Sequence, residues 1–405
     1  MLVQFLRRAC QTGLLALVAV FAGCGGGDSG SSGGPTSSEL GQLAIRLTDS
    51  QNCDYRSVWV TVEQVRIHQS ALADDGAAGW SILNLSPARR VDLLTLKNGV
   101  FVDLGTLPLP AGNYSQVRLV LAANAAGLPP FANQLDLADG STVALKTPSA
   151  QQSGLKLNVQ MSIQPGELGE LVLDFDPCRS VVKAGNSGRY NLKPVIQAYV
   201  NPTNDIEGYT VPGAIVSAQQ GGVGLKATTA DLQGRFVLWP VDAGTYDLVI
   251  TGTGLANAVL AGVQVSTGKN LVNAQAAPLL PQPSPIFRQA SGTVTVTGLG
   301  GNAIDAELRA LQQLGTYPGS ATPLLIETAR TLADDLLGTY AFSLPTAAPQ
   351  RAFWQSGVTS YVFAKVDDQA GQYAIEARAA GFDQPKVEDV SLGLGKAPST
   401  DFEFP

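Results

Sequence analysis

Short stretches of alternating hydrophobic and polar residues recur along most of this chain. Leu43-Ala-Ile-Arg-Leu47 and Ser57-Val-Trp-Val-Thr-Val-Glu63 are rich in β-branched and aromatic side chains and predict strands. In the second, Val58, Val60 and Val62 share one face, whereas Val65 and Ile67 fall on the other. That change of phase near Gln64 predicts a β-bulge or a strand that switches sheets. Val117-Arg-Leu-Val-Leu121, following the turn Pro110-Ala-Gly-Asn113, reads as a strand, as do Leu171-Val-Leu-Asp-Phe175 and Val195-Ile-Gln-Ala-Tyr199. Gly185-Asn-Ser-Gly188 has hairpin-turn composition. Arg90-Val-Asp-Leu-Leu-Thr-Leu96 reads equally as a strand or a short helical turn.

Two sequence echoes extend this pattern toward the C-terminus. Asp231-Leu-Gln-Gly-Arg-Phe-Val-Leu238 matches Asp335-Leu-Leu-Gly-Thr-Tyr-Ala-Phe342, and Ala243-Gly-Thr-Tyr246 matches Ala370-Gly-Gln-Tyr373. In each, a glycine turn leads into a strand that buries every second residue. Pro278, Pro281, Pro283 and Pro285 predict a stiff linker between the two copies. The expected organisation is therefore all-β: three tandem antiparallel β-sandwich-like domains at 40–200, 203–280 and 286–405.

The first 39 residues follow other rules. Arg7 and Arg8 precede the apolar run Leu14 to Phe21, and Ala22-Gly23-Cys24 has the shape of a lipobox, with Phe21 where leucine is usual. A bilayer span needs ~20 apolar residues, so residues 1–23 read as a cleaved lipoprotein signal peptide. Cys24 is the expected lipidation site, and two or more acyl chains hold a protein stably on a membrane. Residues 24–39 form a Gly/Ser-rich tether with a root-mean-square reach of roughly 20 Å. Residues 25 and 26 are glycines rather than aspartates, which favours a bacterial outer-membrane address in the cell envelope.

Composition narrows the partners. Among 405 residues only 15% are charged and the formal net charge is −7, so no basic face is expected to take nucleic acid. Attachment to a membrane then rests on the N-terminal lipid anchor. Cys10 leaves with the leader and Cys24 carries lipid, which leaves Cys53 and Cys178 as an expected disulfide in an oxidising compartment. Closing so long a loop stabilises a domain by up to roughly 4–5 kcal/mol in the chain-entropy model.

The first region resembles bacterial lipoproteins that carry the domain of unknown function 4382. The likeness rests on Leu47-Thr-Asp49, Ser57 to Val62, Val91 to Gly99, Leu109 to Leu119, Ser153 to Leu157, Leu171 to Asp176 and Leu192-Lys-Pro-Val195. It implies an exported, lipid-anchored β domain with no established activity. The second unit resembles the carboxypeptidase regulatory-like, carbohydrate-binding-like fold through Gly213 to Ala218, Asp231 to Leu238 and Ala243 to Ile250. That likeness implies a fold only. The third unit departs from it by insertions at Thr316 to Thr322 and Thr346 to Gly357.

Candidate chemistry is sparse. His68 is the only histidine, and no Gly-x-Ser-x-Gly elbow exists to partner it. Asp174 and Asp176 share a strand face ~6.5–7 Å apart at their Cα atoms, a spacing compatible with glycoside hydrolysis or a metal. Arg179 and Lys183 lie close enough in sequence to neutralise them at a solvated strand end. Gly221-Gly-Val-Gly224 lacks the Lys-Ser/Thr of a phosphate loop and reads as a hairpin turn. Trp59, Trp239 and Trp354 are the candidate ligand-binding aromatics, with packing against a sheet as their alternative role. The resulting expectation is a non-catalytic binding or structural module with no cofactor and no metal. Its expected partner is a polysaccharide or an envelope protein. A carbohydrate-binding lipoprotein is the alternative, and a hydrolase using the carboxylate pair a distant one.

Overall fold

In the computed structural model, residues 40–49, 55–127, 129–147, 153–184, 188–297, 304–334, 337–393 and 398–405 are described. Strands account for 60% and helix for 3%, in several separate sheets without a barrel, so the expected all-β sandwich class is the one observed.

The first unit runs through β1 (Leu40–Asp49), β2 (Ser57–His68), β3 (Ser81–Asp92), β4 (Phe101–Pro110), β5 (Gly112–Leu121), β6 (Gln134–Asp136), β7 (Thr142–Lys146), β8 (Leu155–Ile163) and β9 (Leu168–Asp176). The one-turn helix α1 (Pro177–Ser180), β10 (Val181–Ala184), β11 (Arg189–Leu192) and β12 (Val195–Val200) complete it. One sheet has the order β12-β9-β1-β4; the other runs β10-β11-β7-β6-β2-β5-β8, with β3 paired to β2. Inward side chains of the smaller sheet, Leu43, Ile45, Leu173 and Phe175, meet Val60, Val65 and Val117 of the larger in one buried core. The strand register of β2 shifts between Val62 and Gln64 against both β3 and β5. This bulge returns Val65 and Ile67 to the core shared by Val58, Val60 and Val62. The ambiguous 90–96 segment is both things it resembled: β3 ends at Asp92, and a 3-10 turn follows over Leu93–Thr95.

The second unit contains β13 (Asn204–Tyr209), β14 (Ile215–Gln220), β15 (Val223–Thr229), β16 (Arg235–Val241), β17 (Gly244–Thr251), β18 (Ala258–Val265) and β19 (Lys269–Leu271). The remaining strands are β20 (Phe287–Val296), β21 (Ala306–Thr316), β22 (Pro323–Leu332), β23 (Thr339–Pro345), β24 (Gln350–Phe353), β25 (Ala364–Lys365), β26 (Gln372–Ala379), β27 (Lys386–Ser391) and β28 (Phe402–Phe404). The second core lies between β16-β13-β19 and β15-β14-β17-β18-β24-β25, the third between β23-β20-β28 and β22-β21-β26-β27.

Three details go beyond the sequence reading. Residues 286–405 do not keep all their strands to themselves: β24 pairs in parallel with β18 and extends the second unit's sheet. The segment 346–357, set apart as an insertion, thus contributes a sheet-completing strand at Gln350–Phe353. The proline-rich segment packs onto the fold: Leu279 and Ser284 are fully buried and Ala256 N–H bonds Gln282 O at 2.9 Å. The sandwiches are also not purely antiparallel, because β1–β9, β7–β11, β13–β19, β18–β24 and β20–β28 run parallel.

The internal echo has a structural counterpart. Gly234 and Gly338 both have positive φ, +76° and +64°. Their carbonyls accept the Thr210 and Val294 amides at 2.7 and 2.8 Å. The preceding aspartates differ by one residue: Asp231 accepts the Arg235 amide, whereas Asp334 accepts that of Leu337.

Candidate functional site

Side-chain alternation in β9 sends Leu171, Leu173 and Phe175 into the first core and Val172, Asp174 and Asp176 to the opposite face. That outer face is not exposed to water; Asp174 is 4% and Asp176 7% accessible. The second and third units cover it. Lys226, on β15, places its Nζ 2.8 Å from Asp174 Oδ2, and both side chains are only 3% exposed. Asp176 caps α1 by accepting the Arg179 amide at 3.0 Å, with Pro177 at the first helical position. Burial pushes the Asp176 carboxyl up to about 6, against the opposing effects of the Arg179 amide and guanidinium; the Asp174 charge adds to the rise.

Beside Lys226 the three units converge on a cavity of about 350 Å³, lined by Arg179 of the first, Ser217, Gln219 and Lys226 of the second, and Glu327 and Arg330 of the third. Its walls are tied by charge-assisted bonds. Arg179 Nε lies 3.1 Å from Glu307, and Arg330 reaches the same Glu307 at 2.7 Å and both oxygens of Glu327 at 2.7 and 2.6 Å. Arg309 bonds Glu376 at 2.6 Å, Glu327 at 3.2 Å and the Gly222 carbonyl at 3.0 Å. Gln219 exchanges two bonds with the Glu327 backbone, at 2.8 and 2.7 Å. Burial pushes Glu376 up, but Arg378 and Arg309 outweigh it and hold its carboxyl below the ordinary range. Acids and bases stand close together here, so the cavity offers hydroxyls, amides and mostly paired charges, Lys226 Nζ being the one buried lining cation with no hydrogen bond of normal geometry among the described residues.

The carboxylate reading therefore needs correcting. Asp174 and Asp176 do not stand at a solvated strand end, and Lys183 is exposed on β10 while Lys226 takes its expected place beside Asp174. Sequence reasoning missed Lys226, Arg309, Glu327 and Arg330. The available signal was charge inside alternating strands: Arg309 and Glu376 occupy the centres of β21 and β26, where a solvated face alone does not account for them.

The three tryptophans are dispersed. Trp59 donates Nε1–H to Asp136 at 3.0 Å, and the Arg90 guanidinium lies 4.0 Å from its ring centroid, so one face is already covered. Trp239 is half-buried where β16 meets the first unit, its ring 5.7 Å from Phe101. Beside it, Asn98 accepts the Val237 amide at 2.5 Å. Trp354 is half-buried with Tyr361 and Phe363 against the second core, and its amide bonds Ala261 O at 2.9 Å. A second seam joins the second and third units: Tyr317 donates to Asp247 at 2.5 Å, beside an apolar cluster of Val249, Val259, Leu314, Leu324 and Ile326.

Cys178 is disulfide-bonded. Cys53 and Cys24 both lie outside the described residues. His68 is satisfied locally, accepting the Ser70 amide at Nδ1 and facing Ala78 O through Nε2 at 2.9 Å. Gly221 and Gly222, both at positive φ, form the two-residue turn between β14 and β15. Among the described residues there is no cluster of three or more potential metal ligands, and no helix is long and apolar enough to cross a membrane.

No curated protein matches this chain. Among solved structures, part of the chain is similar to a type II cohesin–X-dockerin complex of Acetivibrio cellulolyticus, at 24% identity, TM-score 0.18, over 20% of this chain and 58% of that one. The Bacillus anthracis TIE protein is 12% identical with TM-score 0.17, over 92% of this chain and 58% of that one. A streptococcal ancillary pilin is 7% identical with TM-score 0.17, over 90% and 99%. TM-scores this low carry no information on function. One family model does match: residues 40–194, from the start of β1 to just past β11, fit the domain of unknown function DUF4382.

Proposed function

We propose that this chain is a lipid-anchored protein of the bacterial cell envelope that acts as a non-catalytic binding or structural module. In this reading Cys24 carries the lipid, the Gly/Ser tether spaces the folded units from the outer membrane, and Cys53 pairs with Cys178. Residues 203–280 belong with the carboxypeptidase regulatory-like sandwiches, and no nucleic acid or cofactor is involved. The observation that carries the reading is the polar junction, in which Lys226–Asp174 and the Arg179–Glu307–Arg330–Glu327 chain tie three sandwiches into one body. Such a body suits transmission or display, and the carboxylates that hydrolysis would need are buried within it. Metabolic labelling with radioactive palmitate tests the anchor. The expected result is label in the membrane fraction of the native chain and none in Cys24→Ala, which is released; equal fractionation and no label in either would overturn it.

Carbohydrate binding is the second reading, favoured by Trp354, Tyr361 and Phe363, three partly buried aromatics that pack against the second core. It expects retention on an envelope polysaccharide that Trp354→Ala abolishes, with Trp239→Ala testing the other half-buried ring. Retention unchanged in both variants would count against an aromatic site.

A further inference from the structure

We propose that Lys226 and Asp174 condense to a side-chain amide that joins the second unit covalently to the first. The pair differs from the other fully buried ion pairs at the junction. Arg309 and Arg330 each satisfy several donors on well-aligned carboxylates or carbonyls. Lys226 Nζ lies 2.8 Å from Asp174 Oδ2, yet makes no hydrogen bond of normal geometry to any group among the described residues. A fully buried ammonium with one misaligned contact leaves its desolvation uncompensated, a cost of several kcal/mol in general. Conversion to an amide removes both charges and leaves one donor and one acceptor.

The chemistry is self-contained. A proton passes from the Lys226 ammonium to the Asp174 carboxylate, giving an amine and a carboxylic acid. The nitrogen lone pair then attacks Asp174 Cγ; the bond from Cγ to the hydroxyl oxygen breaks, and that hydroxyl leaves with one nitrogen-bound proton as water. The sum is ion pair to amide plus water, with no oxidant and no co-reactant. The fold holds Lys226 Nζ 2.8 Å from the Asp174 carboxylate, and such fixed proximity gives intramolecular reactions effective molarities of roughly 10⁵ M or more. Bulk water, which would drive the reverse reaction, is excluded at 3% exposure. The released molecule has somewhere to go, because Lys226 also lines the 350 Å³ cavity. Asp174 lies on β9, an interior strand of its sheet, and Lys226 on β15, an edge strand of another. The bond therefore bridges units rather than stapling one.

Peptide mapping of the purified full-length protein tests this. The chain is first shown to melt cooperatively, then unfolded, reduced so that the disulfide at Cys178 cannot hold segments together, and digested with trypsin. The expected product is one species containing both Asp174 and Lys226, one water lighter than the two peptides combined. In Lys226→Arg, which keeps the positive charge, that species is absent and the two peptides separate. Recovery of Asp174 and Lys226 on separate, full-mass peptides from the folded native chain would overturn the proposal.

Discussion

Asp176 carries the clearest pH signature of any single residue. Burial raises its carboxyl from an ordinary 3.8 to about 6 in the folded protein. The folded state therefore holds this proton more tightly than the unfolded chain. Its contribution to stability is fully present below about pH 4 and is lost as pH rises through about 6. That interval corresponds to at most about 3 kcal/mol. Asn at this position still offers an oxygen to the Arg179 amide but cannot ionise. Asp176→Asn is expected to melt above the native protein at pH 8, with the gap closing by pH 4; a constant gap across melts at pH 4, 6 and 8 would refute the assignment. Tyr317 sets a second residue-level expectation. Burial raises the Asp247 carboxyl, and the Tyr317 hydroxyl and Gly262 amide oppose that rise. Tyr317→Phe removes one of those donors and should cost about 1–3 kcal/mol in urea denaturation at neutral pH.

At the scale of elements, turns decide more than strands do. The φ of Gly234 is +76° and a Cβ there would meet the Thr210 carbonyl oxygen far inside contact distance; Gly338 stands likewise to Val294. Gly254 has φ +78° with nothing near it. Gly254→Ala should therefore cost only the left-handed penalty of about 1–2 kcal/mol, whereas Gly234→Ala and Gly338→Ala should cost clearly more by equilibrium unfolding. Equal losses at all three would mean that close approach is unimportant. The Ala-Gly-x-Tyr element occurs three times, at Tyr114, Tyr246 and Tyr373. Tyr114 and Tyr246 each donate to the carbonyl four residues back, Pro110 at 2.7 Å and Asp242 at 3.0 Å. Tyr373 departs, donating to Pro345 and receiving Asn257. The sequence displayed all three copies, but only the last two belong to the echo traced along the chain.

Across the whole molecule, the seams between sandwiches are built like interiors. Glu327 stands between two arginines and the Gly224 amide while its backbone pairs with Gln219. Glu327→Ala leaves Arg309 and Arg330 short of a partner in a buried site, a change that generally costs about 3–5 kcal/mol. The expected outcome is a single lowered melting transition; a separate early transition confined to the third unit would mean that the junction is not shared. The exchange of β24 sets a related expectation. A chain ending at residue 285 lacks the strand beside β18 and uncovers Val249 and Val259. Limited proteolysis should then cut within 203–285 while residues 40–200, whose core is self-contained, stay protected.

Much of this was readable from local pattern. Alternation with period two needs only neighbouring residues, so the strands, the bulge at Val62–Gln64 and the glycine turns were visible in the chain itself. What alternation cannot report is which outer face another sheet will cover, because that depends on contacts between residues far apart in the chain. Asp174 looked solvated for that reason. Its neighbour in space, Lys226, comes from a different sandwich, and β24 leaves its own unit to complete another. Local sequence determined the all-β elements and their inner faces; tertiary packing alone decided that three sandwiches would share one buried polar junction.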